Sequence, residues 1–260
     1  MATTSTFIRE TAEQPLMPPV KPARLIRADQ PGVTFRQRFV PGTGNLLFLS
    51  CGEYELPPGS QSQTFYLPQE EALLFQAEGR GAVLVNDVVH DLEPYDVLYI
   101  PKGAPFLFGN LTGDPARIIQ TSAPADNVHR VFHAKWSEIS CREDRIHRLK
   151  GKDVYLMFDV SESADKLVAG YTFFQPYQRS WPPHNHTDQE EVYIFLHGHG
   201  SMEVYESPET LSFVHNVKKG DMVTIPFLNY HPVFSQEDPL LFIWCMAGAR
   251  HGVGDQRRTF

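Results

Sequence analysis

The sequence predicts an all-β protein assembled from two copies of one barrel-forming unit. Three observations carry that reading: a succession of short apolar runs, the turn signals between them, and an internal repeat. The 260 residues are 42% hydrophobic and 21% charged, a balance that supports a substantial core and excludes a disordered chain. Stretches such as GAVLVND, DVLYIP, APFLFGN, EVYIFLHG and LLFIWCMAG are strand-length and bounded by Gly, Pro, Asn or Asp. The 18 Gly and 21 Pro keep these runs short, and long amphipathic helical patterns are nearly absent, which favours a sandwich or barrel. One or two helical turns are expected at residues 69–75 and 131–139.

The repeat emerges when one half is laid over the other. Gly79-Arg80-Gly81, a strand and LEPYDVLYIPKGAPF in the first half answer Gly198-His199-Gly200, a strand and VKKGDMVTIPFLNYH in the second. Asp96 matches Asp221, Pro101 matches Pro226, and five residues after each proline stand Phe106 and His231. Such self-similarity implies two copies of one all-β unit. The chain therefore divides into a polar, Pro-bearing arm (1–27), a first barrel (28–124), a Pro- and charge-rich connector (125–150) and a second barrel (151–260).

The formal net charge is −8 and no basic block stands out, which argues against a nucleic-acid surface or a polybasic membrane patch. No apolar run is long enough to span a bilayer as a helix. The first twenty residues lack the cationic head and apolar stretch of a secretory signal, so a cytoplasmic protein is expected. Cys51, Cys141 and Cys245 are far apart and form no C-x-x-C pair. They read as small buried hydrophobes in a reducing compartment, not as a disulfide or thiolate-zinc framework.

Residues 181–195, WPPHNHTDQEEVYIF, carry the chemistry. His184 and His186 are two apart, so on a strand both imidazoles project from one face. Glu191 lies at the head of the next apolar strand, where a hairpin can bring it alongside, and His231 arrives from a separate strand. Three imidazoles and a carboxylate suit one borderline divalent ion: Zn or Mn first, with Fe, Ni or Co also possible. Four protein ligands leave positions open for substrate oxygens. In the first copy Phe65, Leu67, Ala72 and Phe106 occupy the corresponding places, which makes that interior an apolar core without metal ligands.

His184-x-His186-x4-Glu191-x6-Gly198 and Gly220-x5-Pro226-x4-His231 resemble the two cupin motifs. Gln178 stands where a Gly is usual before the first His, and Leu228 where a Gly often follows the Pro. The resemblance implies a bicupin: two double-stranded β-helix (jelly-roll) barrels with few short helices, one barrel empty and one metallated.

A narrower resemblance is carried by Trp181-Pro182-Pro183-His184-Asn185-His186, Glu191-Val192-Tyr193, His231, and the 242–248 stretch FIWCMAG. The chain resembles the family of 4-deoxy-5-hexosulose-uronate ketol-isomerases and 5-deoxy-glucuronate isomerases. Its layout fits over nearly the whole length, with specific motifs within 145–248. Residues 187–190 carry neither the Arg of the uronate enzymes nor the longer insertion of the inositol-pathway enzymes. The resemblance implies a metal-assisted aldose–ketose isomerase acting on a uronate or deoxy-uronate in carbohydrate or inositol catabolism. It places His184, His186, Glu191 and His231 at the metal-ligand positions.

That reaction moves a proton between adjacent carbons, so it needs a base as well as a Lewis acid. Tyr193 shares a strand face with Glu191, Glu190 can approach from the turn, and Glu191 itself can exchange between ligand and base; these are the catalytic candidates. A sugar acid also needs a cation for its carboxylate. Arg179, before the Pro-Pro-His segment, and Arg250, after Met-Ala-Gly, are the nearest in sequence. His197, continuing the Glu191 parity, is read with them as a substrate-facing group. The remaining histidines (His90, His129, His133, His147, His199, His215 and His251) lack ligand-like spacing and read as surface or structural, with His251, after the Met-Ala-Gly strand end, the first exception to consider. Trp181, Phe174 and Trp244 read as packing.

The expected partners are a small sugar acid and further copies of the chain, with no nucleic acid or membrane. Two rival functions share the ligand set. An iron- or manganese-dependent cupin dioxygenase is the first, and a non-catalytic sugar-binding bicupin is the second.

Overall fold

The computed structural model describes residues 32–250, together with the backbone of two short strands, Phe7–Ile8 and Arg258–Thr259. Two β-sandwiches stand side by side, each with one large and one small antiparallel sheet. In the first, the large sheet runs Phe132–Ala134, Val97–Ile100, Glu70–Glu78, Ala116–Pro124, Ser50–Leu56, Thr34–Phe39. The small sheet facing it runs Phe65–Tyr66, Pro105–Gly109, Gly81–Val85, Val88–Leu92. In the second, the large sheet runs Phe7–Ile8, Met222–Ile225, Gln189–His197, Leu240–Gly248, Leu167–Phe174, Lys152–Phe158, Ile146–Leu149. Its small sheet has Thr210–Lys218, His199–Ser207 and Val233–Ser235, and His184–Asn185 pairs with Arg258–Thr259. Among the described residues the helices are short: Trp136–Ile139 and two single 3-10 turns. This is the expected pair of jelly-roll barrels.

The long strands are apolar on both faces because both faces are buried. Alternate residues enter different cores. Tyr193, Phe195, Phe242, Trp244 and Met246 fill the second barrel. Val192, Ile194, Ile243, Cys245 and Ala247 point out of it, into a third core between the barrels. The first barrel contributes Leu73, Phe75, Val97, Tyr99 and Ile119 to that shared core. It keeps Phe65, Leu67, Ala72, Leu74 and Phe106 inside its own. Aromatic pairs cross the boundary, among them Phe75 against Tyr171 and the stacked Tyr99 and Phe158.

Two carboxylates fasten the barrels reciprocally. Glu71, fully buried, accepts the backbone N–H groups of Asp165, Lys166 and Leu167 and the Tyr99 hydroxyl. Glu190, also fully buried, accepts the N–H groups of Leu47, Phe48 and Leu49 at 2.6–2.7 Å. Each stands one residue before a matched position of the repeat, Ala72 or Glu191. Each barrel thus caps the loop that opens a core strand of the other.

The repeated glycines have a backbone reason. Gly79 (φ +64) and Gly198 (φ +81) occupy the left-handed region, and a Cβ there would strike the carbonyl oxygens of Pro115 and Pro239 respectively. Some sequence expectations are corrected. Residues 69–75 hold no helical turn: Glu70–Glu78 is a central strand. The helical turn expected within 131–139 is present as Trp136–Ile139, and the connector also pairs Phe132–Ala134 with the first barrel and Ile146–Leu149 with the second. Cys51 and Cys245 are buried as expected, but Cys141 is exposed. The 1–27 arm lies outside the described residues except for Phe7–Ile8, whose backbone pairs with Met222 and Val223. Phe106 is 1% exposed among Phe65, Phe108 and their neighbours. Phe106→Ala is expected to cost about 3–5 kcal/mol in chemical denaturation and to leave bound metal per chain unchanged.

Candidate metal centre

The centre is built where three segments of the second barrel meet. His184 opens the two-residue strand after Pro183, and His186 follows directly after its end. That strand is tied to the loop before His231: the Leu228 N–H donates to the His186 carbonyl, and the Asn185 amide donates to the Leu228 carbonyl. Leu228 sits at φ +66, which explains why glycine is common there: the turn needs a left-handed residue. Glu191 opens the inward stripe of the Gln189–His197 strand, opposite Ile225 on one side and Met246 on the other.

The three imidazoles present nitrogens within 4.8 Å of one another. Glu191 Oε2 lies 3.0 Å from His231 Nε2 and 3.6 Å from His186 Nε2. His231 Nδ1 is 2.9 Å from the Asn229 carbonyl oxygen, so that nitrogen carries the proton and Nε2 keeps its lone pair. Glu191 Oε2 and His231 Nε2 are buried and, despite their closeness, form no aligned hydrogen bond. Two orphaned acceptors facing one another at this depth are costly unless a cation lies between them. The donor set therefore fits a divalent ion.

The electrostatics agree. Burial pushes the Glu191 carboxyl up, but positive charge on its His186 and His231 side outweighs it and brings it down to about 2, so Glu191 is an anion facing a place where a cation is favourable. Burial first, then the neighbouring His231 and His186, hold His184 well below the ordinary imidazole range. Both effects keep lone pairs available at neutral pH. Burial, and then Glu191, hold the Tyr193 phenol well above its usual range, so it retains its proton.

Beside the ligands lies a half-open cavity of about 80 Å³. His184, His186, Glu191 and Tyr193 share its wall with Trp244 and Met246. Lys152, Thr172 and His147 also line it, and none of these three was expected there. Trp244 is 3% exposed, and its indole N–H has no hydrogen-bond partner. It offers a donor to a ligand, beyond the packing role read from sequence.

Other expected site residues stand elsewhere. Glu190 is turned to the opposite face of its strand and is consumed by residues 47–49; it cannot act as a base in this cavity. Arg250 spends its guanidinium on the carbonyls of Asp159, Glu162, Ala164 and Leu167, so it has no free fork for a carboxylate. Arg179 lies between the Trp181 and Phe234 rings, 3.8 and 4.3 Å from their centroids, and reaches Glu203. It lines no part of the cavity. A register shift between Phe195 and His197 breaks the parity, leaving His197 exposed near the Pro239 carbonyl. His129, His133 and His199 pair with Asp165, Asp96 and Asp238. His251 is outside the described residues.

Among the described residues no helix is long and apolar enough to cross a membrane. Comparison with known proteins adds the lineage. The chain is 26% identical over 206 residues to a 4-deoxy-L-threo-5-hexosulose-uronate ketol-isomerase of Opitutus terrae, covering 74% of this chain and 72% of that protein. An IolB-like protein from Salmonella typhimurium superposes with a TM-score of 0.71 at 19% identity, over 84% of this chain and 89% of the other. A deletion mutant of Bacillus subtilis oxalate decarboxylase gives a TM-score of 0.72 at 15% identity, over 97% and 79%. These two structures share the two-barrel cupin fold. The sequence model of the KduI/IolB family matches residues 28–258, and the chain belongs to that family.

Proposed function

We propose that this protein is a divalent-metal-dependent ketol-isomerase of a uronate or deoxy-uronate sugar acid, serving carbohydrate or inositol catabolism. The observation that carries the reading is the meeting of three imidazoles with the unpaired Glu191 oxygen at the wall of an open cavity. Membership of a family whose curated relatives are named uronate ketol-isomerases supports it.

His184, His186, Glu191 and His231 would hold one ion, with Zn or Mn the best match to this donor set and Fe, Ni or Co also compatible. When bound, such an ion supplies Lewis acidity that stabilises the negative charge of an enediolate. The remaining work belongs to side chains. The Asn229 carbonyl fixes the His231 tautomer. Tyr193, kept protonated, donates a hydrogen bond to a substrate oxygen. The Trp244 N–H provides a second donor. Of the catalytic candidates, Glu191 and Tyr193 remain at the cavity, with Glu191 placed to exchange between holding the ion and taking part in proton transfer.

The test combines metal analysis with isotope exchange. Purified protein is expected to carry about one divalent ion per chain. With 4-deoxy-L-threo-5-hexosulose uronate in D2O, it should incorporate solvent deuterium next to the carbonyl without consuming oxygen. Chelation should abolish turnover and re-addition of the ion restore it. Activity that survives complete metal removal would falsify the reading. Oxygen uptake would favour the dioxygenase alternative, and binding without exchange a sugar-binding role.

A further inference from the structure

A sugar acid is anionic, and both arginines nearest the motif in sequence are committed elsewhere. The cavity nevertheless contains one lysine or arginine among the described residues, Lys152. It opens the Lys152–Phe158 strand and shares the inward face with Val154 and Leu156, which pack into the second barrel's core. The strand beside it places Phe174 opposite Lys152 and Thr172 opposite Val154. The ammonium lies over the Phe174 ring, 5.4 Å from its centroid. Among the described residues it forms no ion pair with a carboxylate. A mostly buried ammonium without a direct counter-ion is unfavourable, and Glu191 across the same cavity compensates it only at a distance. Burial indeed lowers its pKa, with Glu191 opposing. A purely structural lysine would have its charge in solvent or paired; this one is directed at space that a ligand can fill.

The placement also suits the shape of a uronate. Its carboxylate ends the carbon chain opposite the carbonyl end. The metal ligands come from the 184–186, 191 and 231 segments, and Lys152 comes from a different strand of the same cavity wall. We propose that Lys152 is the anchor for the substrate carboxylate, selecting sugar acids over neutral sugars and orienting the opposite end of the chain toward the metal ligands. The inference rests on the isomerase reading for the identity of the ligand, though not for its charge.

The test compares wild type, Lys152→Met and Lys152→Arg, all metal-loaded, with 4-deoxy-L-threo-5-hexosulose uronate and its neutral methyl ester. Tryptophan fluorescence reads binding, because Trp244 lines the cavity, and steady-state kinetics read turnover. Lys152→Met should weaken binding and raise KM for the acid by about 10–100-fold. It should change the ester by less than about threefold, and leave kcat and metal content near wild type. Lys152→Arg should restore much of the preference for the acid. Equal losses for acid and ester, or a fall in kcat at unchanged KM, would overturn the assignment; the latter would point to proton transfer. Wild type that binds the acid through Lys152 without turning it over would sink the isomerase reading and leave the anchor standing. Wild type that turns over acid and ester with equal KM would do the reverse.

Discussion

Glu191→Gln is expected to reduce turnover by about 10³-fold or more while the protein stays folded. The substitution keeps the shape of a side chain that is 3% exposed but exchanges an anionic donor for a neutral amide. The Oε2 atom lies 3.0 Å from His231 Nε2 and 3.6 Å from His186 Nε2, so an amide nitrogen at that position would turn hydrogens toward the ion. Losing Lewis-acid assistance worth several kcal/mol corresponds to a rate loss of roughly three orders of magnitude. Metal analysis should show occupancy falling to a small fraction of wild type, and circular dichroism should show unchanged strand content. A variant that retains both its ion and most of its activity would remove Glu191 from the centre.

The second large effect is on stability. Glu190→Ala removes a fully buried carboxylate that accepts three backbone N–H groups, that of Leu49 buried and those of Leu47 and Phe48 partly so. Each buried donor left unpaired costs about 1–3 kcal/mol, with incomplete additivity. The expected loss is about 3–5 kcal/mol, read as a shift of the urea midpoint. Glu71→Ala deprives Asp165, Lys166 and Leu167 of the same kind of acceptor and should cost a similar amount. Metal affinity separates the two variants. Glu190 is covalently adjacent to Glu191, so its loss should loosen the ion, whereas Glu71 neighbours only Ala72. Equal metal retention in both would show that the clasp holds the barrels without holding the centre.

The parts legible in sequence were those governed by local rules. His184 and His186 obey strand parity, Glu191 follows by a hairpin, and the Gly-to-Pro repeat brings His231 into register with them. The same parity argues against Glu190, since neighbours on a strand face opposite ways. Its carboxylate is used by Leu47, Phe48 and Leu49, more than 140 positions distant in the chain, and no local pattern announces such a partner. Arg179 and Arg250 sit close to the motifs, but nearness along the chain does not reveal whether a guanidinium is already satisfied. Lys152 is illegible in the sequence for the converse reason. It follows a connector, and only pairing with Leu167–Phe174 carries it to the cavity wall. His197 was misplaced by a bulge, an irregularity that alternation alone cannot foresee.

The shared core between the barrels has an evolutionary consequence. A duplicated module that no longer carries ligands would ordinarily be free to drift or be deleted. Here the silent module's outer surface is moulded to its working twin, and the twin's Glu190 is satisfied only by the silent module's backbone. Change is therefore constrained most on the face that this module turns toward the other. The half without the ligand cluster thereby serves as scaffold for the half that carries it.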